Sequence, residues 1–213
     1  TISIWEEDIS GLRNAITVLK GRGITDFETW FNEHPEFVAD AARLIRVVDI
    51  NQATLDMFHA KSREDFLKSV YEIHVPESIT VFKRELVAIA GGKSDFFAET
   101  IFRRFDGSLM NVLISTRIPP ESGTSSMLVS LIDITHQKQA EEKIWSLGNI
   151  IESTLQEIYI FDEESLRFTF VNNGARENLG YSMEELYQLT PLDLKHEFSV
   201  DSFSRLIEPL RSG

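Results

Sequence analysis

The chain has 213 residues, 42% of them hydrophobic, enough for a packed core in one large domain or two small ones and too many for a disordered tail. Its 34 acidic residues outweigh 21 basic ones, and the formal net charge of −13 speaks against direct binding of nucleic acid or of an anionic membrane surface. With no cysteine, disulfides, thiolate metal sites, cysteine nucleophiles and thiol-linked cofactors are excluded.

No apolar run approaches the ~18–20 residues that cross a bilayer, so no membrane insertion is expected. The first residues lack a basic stretch, which argues against a signal peptide and for a cytoplasmic location. The chain starts at Thr1 rather than Met and is expected to be a piece of a longer protein or a processed one.

In chain order, Ile2, Ile4 and Trp5 predict a short strand, followed by the acidic run Glu6-Glu7-Asp8, which could bind a cation but is read in preference as a solvated strand end or helix approach. Ser10 is a candidate cap for a helix whose Leu12, Ile16 and Leu19 share one face. Gly21-Arg22-Gly23 ends it. Thr25-Asp26-Phe27-Glu28 reads as a capping box with Thr25 at the cap, opening a helix with Phe27, Trp30 and Phe31. Pro35 suits the first position of a third helix holding Phe37, Val38, Ala41 and Ala42. Trp30, Phe31 and Phe37 are expected to be buried.

Arg46 to Ile50 is a β-branched strand, and Asn51 caps a helix from Gln52 to Phe58. Ser62 caps another that carries Phe66 and Leu67. A longer helix runs from Glu77 to Ala90, with Ile79, Phe82, Leu86 and Ile89 or Ala90 as its apolar stripe, and Gly91-Gly92 stops it. Three strands follow. Phe97–Phe105 and Leu109–Ile118 flank Asp106-Gly107, a strong hairpin signal. Met127–Ile134 is almost continuously apolar, as expected of a strand covered on both faces.

From Thr135 the period changes. Ala140, Ile144, Leu147 and Ile151 recur at heptad-like spacing on an otherwise polar helix. The stripe serves equally as packing onto a neighbouring domain or as the seam of a parallel dimer. Ile158–Phe161 and Arg167–Val171 then predict two strands around Asp162-Glu163-Glu164-Ser165.

The two halves echo each other. Val48-Asp49-Ile50-Asn51-Gln52-Ala53, Phe58-His59-Ala60 and Ser62-Arg63-Glu64-Asp65-Phe66 parallel Phe170-Val171-Asn172-Asn173-Gly174-Ala175, Leu179-Gly180-Tyr181 and Ser182-Met183-Glu184-Glu185-Leu186. With Asp106-Gly107-Ser108 and Asp133-Ile134-Thr135, these segments resemble the PAS family. The resemblance implies an α+β fold, an antiparallel sheet flanked by helices, with an inserted helical segment and a second, incomplete copy. The expected parts are a PAS domain over 1–135 with its insertion at about 10–43, a linker or signalling helix over 136–156, and the N-terminal part of a second PAS domain over 157–213.

The resemblance further implies a sensory or regulatory module that perceives a small-molecule or redox cue. It would relay that cue through the linker helix to a C-terminal output domain of the same polypeptide. A histidine kinase of a two-component system or a diguanylate cyclase is typical of the family. The alternative is a ligand-free dimerisation scaffold. A homodimer is expected, with no nucleic acid and no enzyme activity in the chain itself, because no nucleophile–base pair, P-loop or metal cluster is legible. Phe82, Leu86, Phe102, Val112, Ile114, Leu128 and Ser130 are the candidate pocket, although most would serve as filled core. Thr100 and Arg104 share one strand parity, Asn111 and Ser115 another, and whichever set faces inward could meet a polar ligand. Asp133, Thr135, Ile144, Leu147 and Ile151 are the candidate relay.

The cofactor stays unknown. His34, His59, His74, His136 and His196 show no metal-ligand spacing, and haem is disfavoured because the helix from Glu77 carries no histidine, His74 lying just ahead of it. Photoreactive flavin needs a cysteine, and non-covalent flavin has no positive signal.

Overall fold

The computed structural model describes residues 2–195 and 197–211, with side chains through 208; His196 lies outside the described residues. The chain divides into two compact units, Thr1–Gln139 and Ala140–Gly213.

In the first unit β1 (Ser3–Asp8) leads into three inserted helices, α1 (Ser10–Gly21), α2 (Phe27–Glu33) and α3 (Pro35–Leu44). Then come β2 (Arg46–Ile50), α4 (Gln52–Phe58), α5 (Arg63–Ser69), a 3₁₀ turn (Val70–Ile73) and α6 (Pro76–Ala90). The strands β3 (Asp95–Arg103), β4 (Leu109–Arg117) and β5 (Ser126–Asp133) complete one antiparallel sheet in the order β2-β1-β5-β4-β3. This is the PAS-like sheet flanked by helices that the resemblance implied. Gly107 takes φ 89° in the β3–β4 turn, a left-handed value that a glycine adopts without strain.

One face of the sheet carries the core. Trp5 is ringed by Phe58, Phe66 and Phe102 at 5.6, 5.3 and 6.4 Å between ring centroids. Each such ring, fully buried, contributes roughly 1.5–3 kcal/mol through the area it removes from water. Leu12, Ile16 and Leu19 of α1, Phe27 and Phe31 of α2, and Val38 and Ala41 of α3 join the same core. Arg13 anchors the insertion by donating to the carbonyls of Pro119, Pro120 and Thr124 in the β4–β5 loop.

Four expectations change. The cap of α2 is Asp26, not Thr25: its carboxylate accepts from the Thr29 amide at 3.0 Å and the Thr29 hydroxyl at 2.7 Å. Of the three inserted aromatics only Phe31 is fully buried. Trp30 and Phe37 are half-buried, and Trp30 stacks on His34 at 4.1 Å instead. Ile79 of α6 is exposed, and the buried face of that helix runs through Ser78, Glu85, Leu86 and Ile89. Finally, β5 sits in the middle of the sheet yet is covered on one face. Met127, Val129 and Leu131 are buried while Leu128 is 49% exposed, and Ile4, Phe97 and Ile132 share that open side.

In the second unit α7 (Thr135–Ser153), which begins in the first, delivers the chain to β6 (Tyr159–Phe161) and β7 (Phe168–Val171). The helices α8 (Asn173–Leu179), α9 (Met183–Leu186), α10 (Pro191–Leu194) and α11 (Val200–Arg211) follow. Phe168, Val171, Ala175 and Leu186 form its core. Among the described residues β6 pairs with β7 alone.

The echo in the sequence is a structural repeat. Asn51 accepts from the Ile4 amide at 3.1 Å, caps α4 at the Thr54 amide and donates to the Ile2 carbonyl at 3.0 Å. Asn172 accepts from the Ile158 amide at 2.9 Å, caps α8 at the Ala175 amide and donates to the Gln156 carbonyl at 2.8 Å. Trp5 faces Ile50 across its ladder as Tyr159 faces Val171, and each ladder slips register at the same step, after Glu6 and after Ile160. Glu7 and Phe161 therefore occupy equivalent positions.

Candidate ligand-binding site

Between the inner face of the sheet and α6 lies a cavity of about 80 Å³. Trp5, Phe82, Phe102, Ile114 and Val129 supply apolar walls, and Ala42 and Ile45 bring the inserted segment to it. Tyr71 lines it and is half-exposed, so it marks where the cavity meets solvent.

The polar groups are the unusual part. Strand alternation sends Glu7 to the same side as Ser3 and Trp5, and it is only 8% exposed. Among the described residues no hydrogen bond or ion pair reaches its carboxylate. Burial, and then the neighbouring Glu85, push its pKa up to about 8. Glu85 projects from the buried face of α6 and accepts from the Thr116 hydroxyl at 2.5 Å. Burial raises it to about 7 against that hydrogen bond. Thr100 on β3 is 7% exposed, and among the described residues its hydroxyl has no hydrogen-bond partner. An orphaned buried hydroxyl costs about 1–3 kcal/mol. His74 also lines the cavity, with Nδ1 3.3 Å from the Ser78 hydroxyl, and burial lowers its pKa by disfavouring the charged imidazole.

A family model described as the PAS domain matches residues 35–136 and again 156–211, together more than half of the sequence. The chain belongs to the PAS domain family. Its two PAS copies are the two halves of the repeat just described, and the fold is that of a sensory signalling module. No curated protein matches the sequence. Among solved structures it is similar to the PAS domain of a protein from Colwellia psychrerythraea, at 15% identity and TM-score 0.41 over 63% of this chain and 87% of that one. It is also similar to the LOV domain of a blue-light activated histidine kinase from Erythrobacter litoralis, at 13% identity and TM-score 0.41 over 63% and 96%. For the PAS domain of the fruit-fly ELK potassium channel the values are 20%, 0.35, 43% and 77%. The assignment to the family rests on the family model.

In the first PAS copy, the sequence-predicted pocket residues fall into three groups. Phe82, Phe102 and Ile114 line the cavity. Leu86 and Val112 are fully buried but belong to the packed core beside it. Leu128 and Ser130 are misplaced by the sequence reading: their parity on β5 is opposite to that of Met127, Val129 and Leu131, which turns them to the open face. Of the polar strand residues, Thr100 faces in and Asn111 and Ser115 face out. Arg104 lies past the end of β3, where it donates to the Met57 carbonyl and pairs with Asp133 at 2.5 Å.

The candidate relay residues Asp133 and Thr135 form a clamp at the start of α7. The Asp133 carboxylate accepts from the Thr135 amide at 2.8 Å, and the Thr135 hydroxyl accepts from the Asn111 amide of β4 at 2.9 Å. Burial works to raise Asp133, and the Thr135 hydrogen bonds with the Arg104 charge outweigh it, leaving its pKa below the ordinary carboxylate value. Ile144, Leu147 and Ile151 lie further along α7, which has no buried residue; Ile144 is 71% exposed.

The sequence placed Glu7 in a run read as solvated rather than cation-binding and did not single out Glu85, though each left a signal of its burial. Glu7 has the parity of Trp5, the one aromatic in its strand. Glu85 stands three residues after Phe82 and four before Ile89, on the apolar side of α6. Among the described residues no group of three or more metal-ligating side chains comes together, and no helix is long and apolar enough to cross a membrane.

Proposed function

We propose that the chain is a sensory and regulatory module whose first PAS copy receives a small-molecule cue in the cavity between α6 and the sheet. Helix α7 relays occupancy to an output domain of the same polypeptide outside this chain, of the histidine kinase or diguanylate cyclase type. Residues 1–135 would sense, 136–156 would relay, and 157–213 would form the second copy. Catalysis would belong to the output domain. The observation that carries the reading is the orphaned Thr100 hydroxyl facing a cavity that also holds two buried carboxyls. Ile114 and Val129 line that cavity on the two strands whose ends hold the Asp133–Thr135 clamp. A ligand that favours one arrangement of β4 and β5 would bias the start of α7 by its differential affinity for the two arrangements.

Native mass spectrometry of the purified chain and a thermal-shift screen of small molecules test this. A ligand should appear in the wild type and vanish in Thr100→Leu, which fills the cavity. If Thr100→Leu instead stabilises the chain and the wild type shifts with nothing, the first copy is a ligand-free scaffold.

That scaffold reading has its own observation, the exposed stripe Ile144, Leu147 and Ile151, which a second chain would cover in a parallel pair of α7 helices. Ile144→Asp with Leu147→Asp should then lower dimer content in sedimentation while circular dichroism is unchanged. A wild-type chain that sediments as a monomer removes the dimer.

A further inference from the structure

The cavity has acceptors and aromatic walls but, among the described residues, no lysine or arginine lines it. Two buried carboxyls from different elements, Glu7 on β1 and Glu85 on α6, meet there with one uncommitted hydroxyl. A buried carboxyl ionises readily only beside a cation, and the cavity lining supplies none. Deepening the sensory reading above and resting on it, we propose that the cavity takes a small organic cation: a primary amine on a short apolar frame, its ammonium held by Glu7 and Glu85 with the Thr100 hydroxyl as a further acceptor.

Three features favour this class. An ammonium has three donors and no acceptor, which matches two carboxylates and a hydroxyl. Trp5, Phe82 and Phe102 supply aromatic and apolar surface to a cation and to its hydrocarbon body. A volume of about 80 Å³ has room for roughly five to eight water-sized groups. A hard metal ion fits poorly, since calcium and magnesium need about six or more oxygen ligands and this wall is largely apolar.

The titratable groups facing the cavity are Glu7, Glu85, His74 and Tyr71. In the empty site burial holds the Glu7 carboxyl protonated up to about pH 8 and that of Glu85 up to about pH 7. An arriving ammonium favours the carboxylate, so binding releases a proton. Affinity should therefore rise with pH until both groups ionise without help, and level off above.

The test compares three molecules of one frame by calorimetry on the whole chain: 3-methylbutylamine, 3-methylbutanol and 3-methylbutanoate. The expected result is that the amine binds, that the alcohol binds at least about tenfold more weakly and that the carboxylate does not bind. The amine should gain about tenfold or more between pH 6 and pH 8, with proton release seen as a dependence on the buffer's ionisation heat. Glu7→Gln should remove most of that affinity and the proton release. Should Glu7→Gln not fold, Glu85→Gln and the wild-type pH series decide instead. If the alcohol or the carboxylate binds as well as the amine, the cavity remains a ligand site and the cation inference is wrong. The same holds if amine affinity is flat with pH. If none of the three binds at millimolar concentration, the cation inference is also wrong, and the screen with Thr100→Leu still judges the sensory reading on its own.

Discussion

At one register position the two PAS copies part company: the first has Glu7, the second Phe161. The two first ladders share their slip and the asparagine that ties strand to helix. In the second copy Phe161 packs its ring 5.9 Å from Phe203 of α11, an apolar contact between strand and long helix. In the first, the same side of the sheet holds an unpartnered carboxyl opposite Glu85. The copies also differ in what joins their first two strands. Ile158 and Asn172 are fourteen residues apart, Ile4 and Asn51 forty-seven, and the extra chain supplies part of the cavity wall. A ring pair is the stable solution for this position. Two carboxyls there cost stability, and such a cost is expected where a site is kept ready for a ligand.

The largest expected effect tests whether the insertion belongs to the first core. Phe31→Ala should destabilise the first copy by about 3–5 kcal/mol in chemical denaturation. Trp30→Ala should cost clearly less, because Trp30 is half-buried. Equal losses would mean that the insertion packs differently.

The second test concerns the contrast at Glu7 itself. Its folded pKa of about 8 exceeds the ordinary 4.5, so the folded state holds the extra proton between those values. The first copy should therefore be most stable below about pH 4.5 as far as this group is concerned. It should lose stability as pH rises toward 8, by on the order of 3–5 kcal/mol. Glu85, raised to about 7, adds in the same direction. Glu7→Gln should flatten the profile and make the chain more stable than wild type at pH 8.5. A wild-type profile flat from pH 5 to pH 8.5 would show that Glu7 is not buried as described.

The smallest effect compares the two asparagines. Asn172 is fully buried, and its amide lies within reach of the carbonyls of Ile151, Thr154 and Gln156. Asn51 is partly exposed and donates to the Ile2 carbonyl. Asn51→Ala should cost about 1 kcal/mol, the worth of a cap, and Asn172→Ala about 2–3, since its buried side chain also ties three part-buried carbonyls ahead of β6. Hydrogen exchange at Ala175 and Thr54 reads both, and equal losses would remove the distinction.

What the sequence by itself determined was local. The helix caps Asn51 and Ser62, the turn at Asp106-Gly107 and the repeat joining the two PAS copies could all be read directly. Each rests on hydrogen bonds or backbone angles spanning a few residues. What only the tertiary structure decided was burial. An apolar run in β5 is compatible with cover on both faces or on one, and the choice lay with elements far away in sequence. Leu128 and Ser130 therefore left the candidate pocket, and an acidic run that looked solvated delivered Glu7 to the interior. Glu85 meets its donor Thr116 across thirty-one residues of chain. A carboxyl's solvation depends on every group packed around it, and those groups come together only when β1, β4 and α6 close on one another.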